Sequence, residues 1–377
     1  MFTELSTSLY YQSIKLICRI TAVVILCSVG YYAKAQDPQF TQFYAAPLYL
    51  NPAFTGSTGE GRIIANYRNQ WPGINANFVT YAASYDQYFP AIKSGIGVML
   101  KRDEQGGGAS SPFVSNDVNL FYSYLIPINE SFSISAGLQV GYGLRDLNFG
   151  NFLFGDQLDE NGPLGTPTGE TFASDQIGYL DVSSGVVLFS NNLWVGFAAH
   201  HLNEPNLSFL GDDDPLPRKY NIHAGYKIPL RQVRRGRGRN RNVVEQSITP
   251  VIHYKSQGRA DQLSIGAYMN YDPLVVGFWY RGLPIKEFEN AGINQDAIAA
   301  LIGFNLNNLS IGYSYDYTIS GLNNANTFGA HEISLTYHIK YKEKGRKKGF
   351  GYPQVICPNP WKKYQKLKYE HTKPFNK

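Results

Sequence analysis

The chain has 377 residues, of which 43% are hydrophobic, and a formal net charge of +5. Behind its N-terminal region no stretch approaches 18 consecutive apolar residues, which excludes a membrane protein built from spanning helices. Tyr, Phe and Gly are abundant, at 28, 22 and 37 residues. This bias is typical of outer-membrane β-barrels, where aromatic residues form interfacial girdles and small residues occupy the crowded inner face.

The first 35 residues have the features of a secretory signal peptide. Two basic residues precede an apolar stretch at 20–32, and an Ala-Lys-Ala motif precedes Gln36. The apolar stretch is shorter than the roughly 20 residues that a spanning helix needs. We therefore expect cleavage after Ala35 and export from the cytoplasm. Cleavage also removes two of the three Cys residues, so no internal disulfide is expected and the pairing of Cys357 with another molecule stays open.

The region behind the signal peptide consists of about fourteen segments that alternate apolar and small polar residues. In one of them, Ile333, Leu335 and Tyr337 alternate with Ser334 and Thr336. Side chains of a strand point to opposite faces with period two, so one face of each segment suits lipid and the other suits water. We predict strands at 62–70, 78–88, 94–102, 114–126, 131–146, 177–189, 193–202, 218–229, 245–256, 262–271, 274–282, 297–306, 309–317 and 330–342. The repetition predicts an all-β fold, a transmembrane antiparallel β-barrel of the outer-membrane type.

The lengths of the connections separate this fold from a secreted β-sandwich, whose strands also alternate. Connections after the second, fourth, sixth, tenth and twelfth strands are short, whereas 146–176, 203–217 and 283–296 are long. Bacterial barrels have short periplasmic turns, long external loops and both termini in the periplasm. The same orientation is expected here. The weakest strand is the ninth, because Pro250 removes a donor from the hydrogen-bond ladder and belongs at an edge or bulge.

Two strongly basic stretches fall on the side that we expect to be periplasmic. One follows the eighth strand, where a short turn is due, and the other is the tail beyond residue 342. The residues proposed to contact a periplasmic partner are Arg231, Arg234, Arg235, Arg237, Arg239, Arg241, Lys347, Lys348, Trp361, Lys362 and Lys363. They form either a solvated, disordered surface or an electrostatic docking face for an acidic periplasmic protein. Anionic lipid or cell-wall polymer is a further alternative, and export excludes nucleic acid.

No residue pattern indicates catalysis or a cofactor. Six of the seven His residues lie in predicted strands that have no common neighbour, and no Cys joins them, so no metal site is expected. A nucleophile elbow and a phosphate-binding Gly loop are both missing from the sequence. A barrel hydrolase would need a nucleophile triad on adjacent strands, and we find none. We expect no enzyme and no cofactor.

Residues 36–61 do not form a strand, because they contain three Pro residues and irregularly spaced aromatic residues. A barrel of about fourteen strands encloses more space than its own side chains fill. The segment is therefore expected to lie along the inner rim or inside the lumen. Its motif residues, together with those of the first strand, are Asp37, Pro38, Gln39, Phe40, Gln42, Asn51, Pro52, Gly56, Arg68, Gln70 and Trp71.

With these residues, and with the matching stretches 59–74, 78–85 and 94–100, the chain closely resembles the PorP/SprF family of outer-membrane proteins of the type IX secretion system. The resemblance implies a barrel of about this strand number that works with the secretion and gliding machinery. Some members are needed to export or retain a surface adhesin, and others link to a periplasmic motor ring. The Arg-rich run and the basic tail depart from the compact pattern of the family and leave open which role applies.

Four regions follow from these expectations: a signal peptide at 1–35, a periplasmic or lumenal segment at 36–61, a transmembrane barrel at 62–342 and a basic periplasmic tail at 343–377. The expected function is that of a non-enzymatic barrel in the outer-membrane lipid. Its expected partners are a secreted adhesin-like client, contacted through external loops, chiefly 146–176, or in the lumen, and periplasmic components of the machinery. The alternative is a passive channel for small solutes, which requires an open lumen.

Overall fold

The computed structural model describes residues 37–74, 76–107, 111–129, 131–160, 162–169, 174–209, 211–235, 242–288, 292–306, 308–322 and 324–339. Within these residues one antiparallel sheet contains the strands β1 (Gly61–Gln70), β2 (Phe78–Phe89), β3 (Ser94–Gln105), β4 (Phe113–Pro127), β5 (Ser133–Leu147), β6 (Gln176–Phe189), β7 (Leu193–His200), β8 (Lys219–Tyr226), β9 (Ile228–Arg235), β10 (Asn242–Gln257), β11 (Ala260–Tyr271), β12 (Leu274–Phe288), β13 (Gly292–Leu306), β14 (Leu309–Thr318) and β15 (Ala330–Ile339).

The sheet closes on itself as a barrel. The first strand pairs with both β2 and β15, with Gly61 opposite Ile339, and, apart from β8 and β9, strands that are consecutive along the chain pair with each other. The strands β8 and β9 lie end to end and pair with successive parts of β10, so together they occupy one strand position in the barrel. The fifteen strands therefore fill fourteen positions. Closure removes the unpaired edges that an open sheet would present. The prediction of a fourteen-position antiparallel barrel is confirmed.

The two faces of the sheet differ as the alternation predicts. In β15, Ile333, Leu335 and Tyr337 are exposed on the outer face, while Ser334 and Thr336 are buried on the inner face. Other exposed apolar side chains of the outer face are Ile63, Leu100, Leu120, Tyr142, Leu180, Phe278 and Tyr313. An exposed apolar band around a closed barrel is the surface that a bilayer covers.

The strand connections distinguish the two ends of the barrel. The short-turn end carries the connections 90–93, 128–132, 190–192, 272–273 and 307–308, and the loop-bearing end carries 71–77, 106–112, 148–175, 201–218 and 319–329. The described chain after β15 ends at Ile339 at the short-turn end, whereas Asp37 bonds to the loop-bearing ends of β8 and β10. The expectation that both termini face the periplasm concerns residues outside the described ranges and stays a prediction.

Short helical elements lie before β1 and in the loops. They are the 3₁₀ turns Phe43–Ala45, Pro52–Phe54, Pro90–Ile92, Phe149–Asn151 and Gly155–Gln157, and the single-turn helices α1 (Pro47–Leu50) and α2 (Asn324–Thr327). A two-residue ladder joins Leu158–Asp159 to Gly162–Pro163. Pro47 and Pro52 occupy first helical positions, where the missing N–H has no intrahelical role. No helix in the described part of the chain is long and apolar enough to cross a membrane.

Two predicted connections are β-hairpins in the structure. The loop expected at 283–296 continues β12 and β13, with Leu283 opposite Asn294 and Phe288 opposite Gly292. The turn expected after the eighth strand begins as β9, which pairs with β10 as far as Arg235 opposite Asn242. Both predictions were wrong because backbone pairing with the adjacent strand continues past the ends of the alternating pattern, although the local composition is polar.

The interruption between β8 and β9 has a cause in the opposite strand. Gly225 pairs with Val251 and Ile228 pairs with Ile248, so the break faces Pro250. Pro250 has no N–H to donate, and the pairing of the two strands is interrupted where that donor is missing. A register shift between Pro229 and Arg231 follows immediately. The expectation that Pro250 marks an irregularity agrees with this geometry.

The hydrophobic core lies inside the barrel, around residues 37–59, which we call the lumenal segment. Tyr44, Leu50 and Phe54 of the segment are buried against inward-facing residues of the strands. Those strand residues are Leu125, Val187, Phe189, Trp194, Val251, Tyr268, Val275, Trp279 and Leu301. The segment therefore occupies the lumen, the second of its two expected positions, and its apolar residues complete a core that the barrel wall alone leaves open.

Candidate binding site in the barrel lumen

The lumenal segment runs the length of the barrel interior. Asp37 contacts Lys219 and Gln257 near the loop-bearing end, and the backbone N–H of Gly56 donates to Asp86 near the short-turn end, at 2.7 Å. Irregular backbone in a barrel interior must have its polar groups paired, because unpaired buried groups are costly. The segment meets this requirement through hydrogen bonds within its own turns and through side chains of the strands.

Beside Thr41 and Gln42, near the start of the segment and toward the loop-bearing end, four charged residues form a buried cluster, Arg68, Arg281, Asp316 and Glu332, which we call the central ion cluster. Arg68 Nη2 lies 2.8 Å from Asp316 Oδ2, and Arg68 Nη1 lies 3.2 Å from Glu332 Oε2. Arg281 Nη1 lies 3.0 Å from Asp316 Oδ2. The four side chains carry two positive and two negative charges, and the partly exposed Asp296 lies 3.7 Å from Arg281 at the edge of the cluster. Pairing of opposite charges is the condition for burying them.

The central ion cluster binds the segment through its backbone. The N–H groups of Thr41 and Gln42 donate to the two carboxylate oxygens of Glu332, at 2.7 and 3.0 Å. The Thr41 hydroxyl donates to Asp316 at 2.6 Å and accepts from Arg68 and Arg281 at 2.8 and 2.6 Å. Charge-assisted hydrogen bonds of this kind are about twice as strong as neutral ones. The cluster therefore holds the chain at residues 41–42.

Near the loop-bearing end, Asp37 is held by a second charged group, which we call the Asp37 clamp. His201 lies between two carboxylates, with Nε2 at 2.9 Å from Asp37 and Nδ1 at 2.8 Å from Asp181. Lys219 donates a further bond to Asp37. Burial raises the pKa of the Asp37 carboxyl, but His201 and Lys219 outweigh burial and hold the pKa well below its usual range. Burial lowers the pKa of His201, but the two carboxylates raise it to about 9.

We predict that the Asp37 clamp makes the stability of the barrel depend on pH. The folded-state pKa of His201 lies above its ordinary value of 6.5, so its contribution is complete below pH 6.5 and is lost as pH rises through about 9. The lowered pKa of Asp37 gives a contribution that is present above 3.8 and lost at lower pH. Thermal unfolding followed across a titration through pH 9 should show the alkaline loss, and His201→Gln should remove it.

The matched control for this prediction is His331→Gln, because His331 contacts the Tyr313 hydroxyl on the outer face and lies outside the clamp. This variant should keep the wild-type pH profile. An alkaline stability loss of the same size in the wild type and in His201→Gln would contradict the assignment.

At the short-turn end, a buried ion pair fixes the end of the segment. Arg62 donates from Nε and Nη2 to both oxygens of Asp86, each at 2.8 Å, and neither side chain has any exposed surface. Asp86 also accepts from the backbone N–H of Gly56 at 2.7 Å. Arg62 therefore joins β1 to β2 and, through Asp86, to the lumenal segment.

Two glycines of the barrel wall let the segment approach the strands closely. A Cβ atom at Gly137 would lie 2.3 Å from the backbone nitrogen of Ala53, and one at Gly185 would lie 2.1 Å from Oδ1 of Asn51. Asn51 occupies the space beside Gly185 and donates to the carbonyl oxygens of Val186 and Phe197, at 3.2 and 3.1 Å. Glycine is required at both positions because any side chain would displace the segment.

The motif residues expected from the sequence are brought together only in part. Eight lie in the lumenal segment, Asp37, Pro38, Gln39, Phe40, Gln42, Asn51, Pro52 and Gly56, and Arg68 reaches them from β1. Gln70 accepts from Arg68 at 3.2 Å. Trp71 lies beyond the end of β1 and packs against Phe78 with ring centroids 5.6 Å apart. Trp71 therefore shapes the loop after β1 rather than the lumenal contacts.

The expected periplasmic contact residues do not form a described site. Arg231, Arg234 and Arg235 lie in β9, and only their backbone positions are described. The remaining residues of that prediction lie outside the described ranges: Arg237, Arg239, Arg241, Lys347, Lys348, Trp361, Lys362 and Lys363. Their role stays a prediction.

The contacts of the segment include residues that the sequence analysis missed. Asp316, Glu332, Arg281, His201 and Lys219 come from distant strands and loops, and several are separated from their partners by more than two hundred residues. A signal for them exists in the alternation, because charged residues such as Glu332 fall on the inward positions of strands. That signal identifies an inward charge but not its partner.

The His residues are closer together than expected. His223 lies opposite His253 in the register of β8 and β10, and His200 lies on the adjacent strand β7. The prediction that these strands have no common neighbour was wrong, because β8 pairs with both β7 and β10 when the barrel closes. His223 contacts Asn51 at 3.2 Å. Among the described residues, no group of three or more His, Cys, Asp or Glu side chains is arranged to hold a metal ion.

Comparison with solved structures finds outer-membrane proteins of low sequence identity. The chain is similar to Omp33 of Acinetobacter baumannii, with 10% identity, a TM-score of 0.39 and coverage of 75% of this chain and 100% of that chain. It is also similar to the toluene transporter TodX of P. putida, with 10% identity, a TM-score of 0.43 and coverage of 78% of this chain and 93% of that chain. For the toluene transporter TbuX of Ralstonia pickettii the identity is 10%, the TM-score is 0.42, and the coverage is 79% of this chain and 94% of that chain.

Comparison with known sequences gives a match to a family model but not to an individual curated protein. No curated protein matches the chain. The model of one family, described as the type IX secretion system membrane protein PorP/SprF, matches residues 32–337, which span the lumenal segment and nearly the whole barrel. The match agrees with the motif residues of the lumenal segment and with the closed barrel around them. The chain therefore belongs to the PorP/SprF family of type IX secretion system membrane proteins.

Proposed function

We propose that this chain is a closed, non-enzymatic barrel of the type IX secretion machinery that receives or anchors a secreted adhesin-like client. Family membership supports a secretion role in the outer membrane. The observation that carries the rest is the occupied lumen, because the lumenal segment bonds to strands on several sides of the barrel. A passive solute channel needs an open lumen, so the occupied lumen favours a scaffold over a channel.

Client contacts are proposed at the loop-bearing end, chiefly on residues 146–176. Within this loop Leu153, Leu158 and Leu164 are 60%, 48% and 48% exposed, so apolar surface is available for contact with a protein. Phe152 and Phe113 pack edge to face with centroids 6.3 Å apart, so the loop is held against the start of β4. An apolar, anchored loop suits contact with a folded or folding protein.

Two measurements test the proposal together. The purified wild-type barrel in a planar lipid bilayer should pass no steady ionic current, because the lumenal segment occupies the interior. In cells that lack the chain, at least one surface protein should be lost from the surface and retained in the periplasm, and complementation should restore it. A steady ohmic current combined with an unchanged set of surface proteins would instead support the solute channel.

Periplasmic contacts are proposed through the basic run and the basic tail. The backbone of β9 and β10 extends as a hairpin past the break at Lys227, and this hairpin carries Arg231, Arg234 and Arg235. Placed on the proposed periplasmic side, clustered positive charge would attract an acidic surface and raise the rate of encounter.

Replacing Arg234, Arg235, Arg237, Arg239 and Arg241 by Gln should reduce recovery of a periplasmic partner in pull-downs from cells. Wild-type recovery should also fall as salt is added, because a Debye length of about 8 Å at physiological ionic strength screens exposed charges. Arg102→Gln removes an exposed charge elsewhere and should leave recovery unchanged. Equal recovery with the substituted run would remove the docking role.

A further inference from the structure

A cavity of about 480 Å³, part of it open to solvent, lies in the loop-bearing half of the lumen. One wall is the lumenal segment, and the other is the inner face of β8, β10, β11 and β12. Three cations, Lys219, Lys255 and Arg281, line it together with the rings of Phe40 and Tyr49. Ligand pockets in proteins combine apolar walls with a few polar groups.

The three cations differ in their partners. Lys219 bonds to Asp37, and Arg281 lies 3.0 Å from Asp316. Lys255 donates to the neutral side-chain oxygen of Gln39 at 2.6 Å, and no described carboxylate forms an ion pair with it. The cavity therefore carries one ammonium group whose charge is not balanced by an ion pair. A cation that makes no ion pair at a partly buried position favours binding of an anion.

Other lining groups restrict the kind of anion. In the sheet register Lys255 lies opposite Asn221 in β8 and Gln262 in β11, and all three residues line the cavity. Nε2 of His253, two positions along β10, is buried and has no hydrogen-bond partner among the described residues. The His253 ring packs against Phe43 with centroids 5.4 Å apart. The cavity therefore combines the Lys255 ammonium group with the unpaired Nε2 of His253 and the aromatic ring of Phe43.

We propose that this cavity binds a carboxylate carried on a small apolar group. One oxygen of a carboxylate can form the ion pair that Lys255 does not make with any described residue. The second oxygen can accept a hydrogen bond from His253 when the ring carries its proton on Nε2. The apolar group packs against Phe40 and Phe43. The carboxylate belongs either to a free small molecule or to the C-terminus of a peptide.

The test uses the purified full-length chain in detergent and isothermal titration calorimetry. Phenylacetate represents a free small molecule that carries the carboxylate. A short peptide that ends in Phe with a free carboxylate represents the C-terminus of a peptide. At least one of the two should bind saturably, and the tighter binder identifies the source. Phenylacetamide and the C-terminally amidated peptide, which lack the charge, should not bind.

Three variants place the binding at Lys255. Lys255→Gln should weaken binding by about tenfold or more, the usual cost of losing one charge-assisted hydrogen bond. Lys255→Arg should retain most of the affinity. Arg102→Gln, which removes one positive charge outside the cavity, should bind as the wild type does.

Folding of each variant is checked first by resistance to trypsin, so loss of binding is scored only for folded protein. Failure of both acids to bind, equal binding of acid and amide, or unchanged affinity in Lys255→Gln would overturn the proposal. The assay involves no client and no cell, so its result is independent of the secretion role proposed above.

Discussion

Arg68→Gln is expected to lower the free energy of unfolding of the barrel by about 3–5 kcal/mol, because it leaves buried charge without its partner. Arg68 is 2% exposed and bonds to both Asp316 and Glu332. Without it the central ion cluster has one cation for two carboxylates, and the acceptors of the Thr41 and Gln42 backbone bonds lose their orientation. Urea unfolding in detergent or lipid vesicles, followed by tryptophan fluorescence, measures the change.

The control for this prediction is Arg102→Gln, which breaks an ion pair with Glu104 in which Arg102 is half exposed. Exposed pairs contribute only about 0–1 kcal/mol, so this variant should unfold nearly as the wild type does. Similar unfolding curves for the two variants would show that the central ion cluster does not stabilise the fold.

Gly137→Val is expected to displace the lumenal segment and open the barrel. The Cβ atom would lie 2.3 Å from the nitrogen of Ala53 and 2.3 Å from the carbonyl carbon of Pro52. Both are backbone atoms and cannot rotate away, so either the strand or the segment must move. Overpacking of this kind typically costs about 1–3 kcal/mol. A steady current in planar bilayers, not seen with the wild type, is the expected result.

Gly155→Ala is the matched control for Gly137→Val. Nothing lies within 4 Å of a Cβ atom at Gly155 in the loop 148–175, so the added methyl group has open space. This variant should stay closed to ions. If Gly137→Val inserts normally, unfolds as the wild type does and carries no current, the segment does not seal the lumen at this point.

The strands were predictable from local pattern because the requirement acts on each residue separately. A side chain facing lipid must be apolar wherever the strand pairs, so Leu138, Val140 and Tyr142 alternate with inward Gln139 and Gly141 in the sequence and in the structure. Strand ends were less predictable. Pairing continued into the 283–296 region and into β9 because the ladder depends on the neighbouring strand as well as on composition.

The lumenal contacts were only half predictable. The motif residues of the segment were identified, and the three Pro residues correctly excluded a strand there. The partners of Thr41 and Asp37 were not, because Glu332 and Lys219 are nearly three hundred and two hundred residues away along the chain. No local pattern relates such residues. The same applies to Lys255. In the sequence it is one polar residue of an alternating strand, and only the folded barrel brings Asn221 and the lumenal segment beside it.

The amino-acid order by itself determined that this chain forms amphipathic strands of a barrel and that the lumenal segment lies apart from them. Alternation and proline content act over a few residues and are readable without the fold. Only the tertiary structure decided that the segment fills the lumen, which inward charges neutralise one another and which ammonium group is left without an ion pair. Those outcomes depend on which distant residues meet across a closed interior, where desolvation makes each unmatched charge costly.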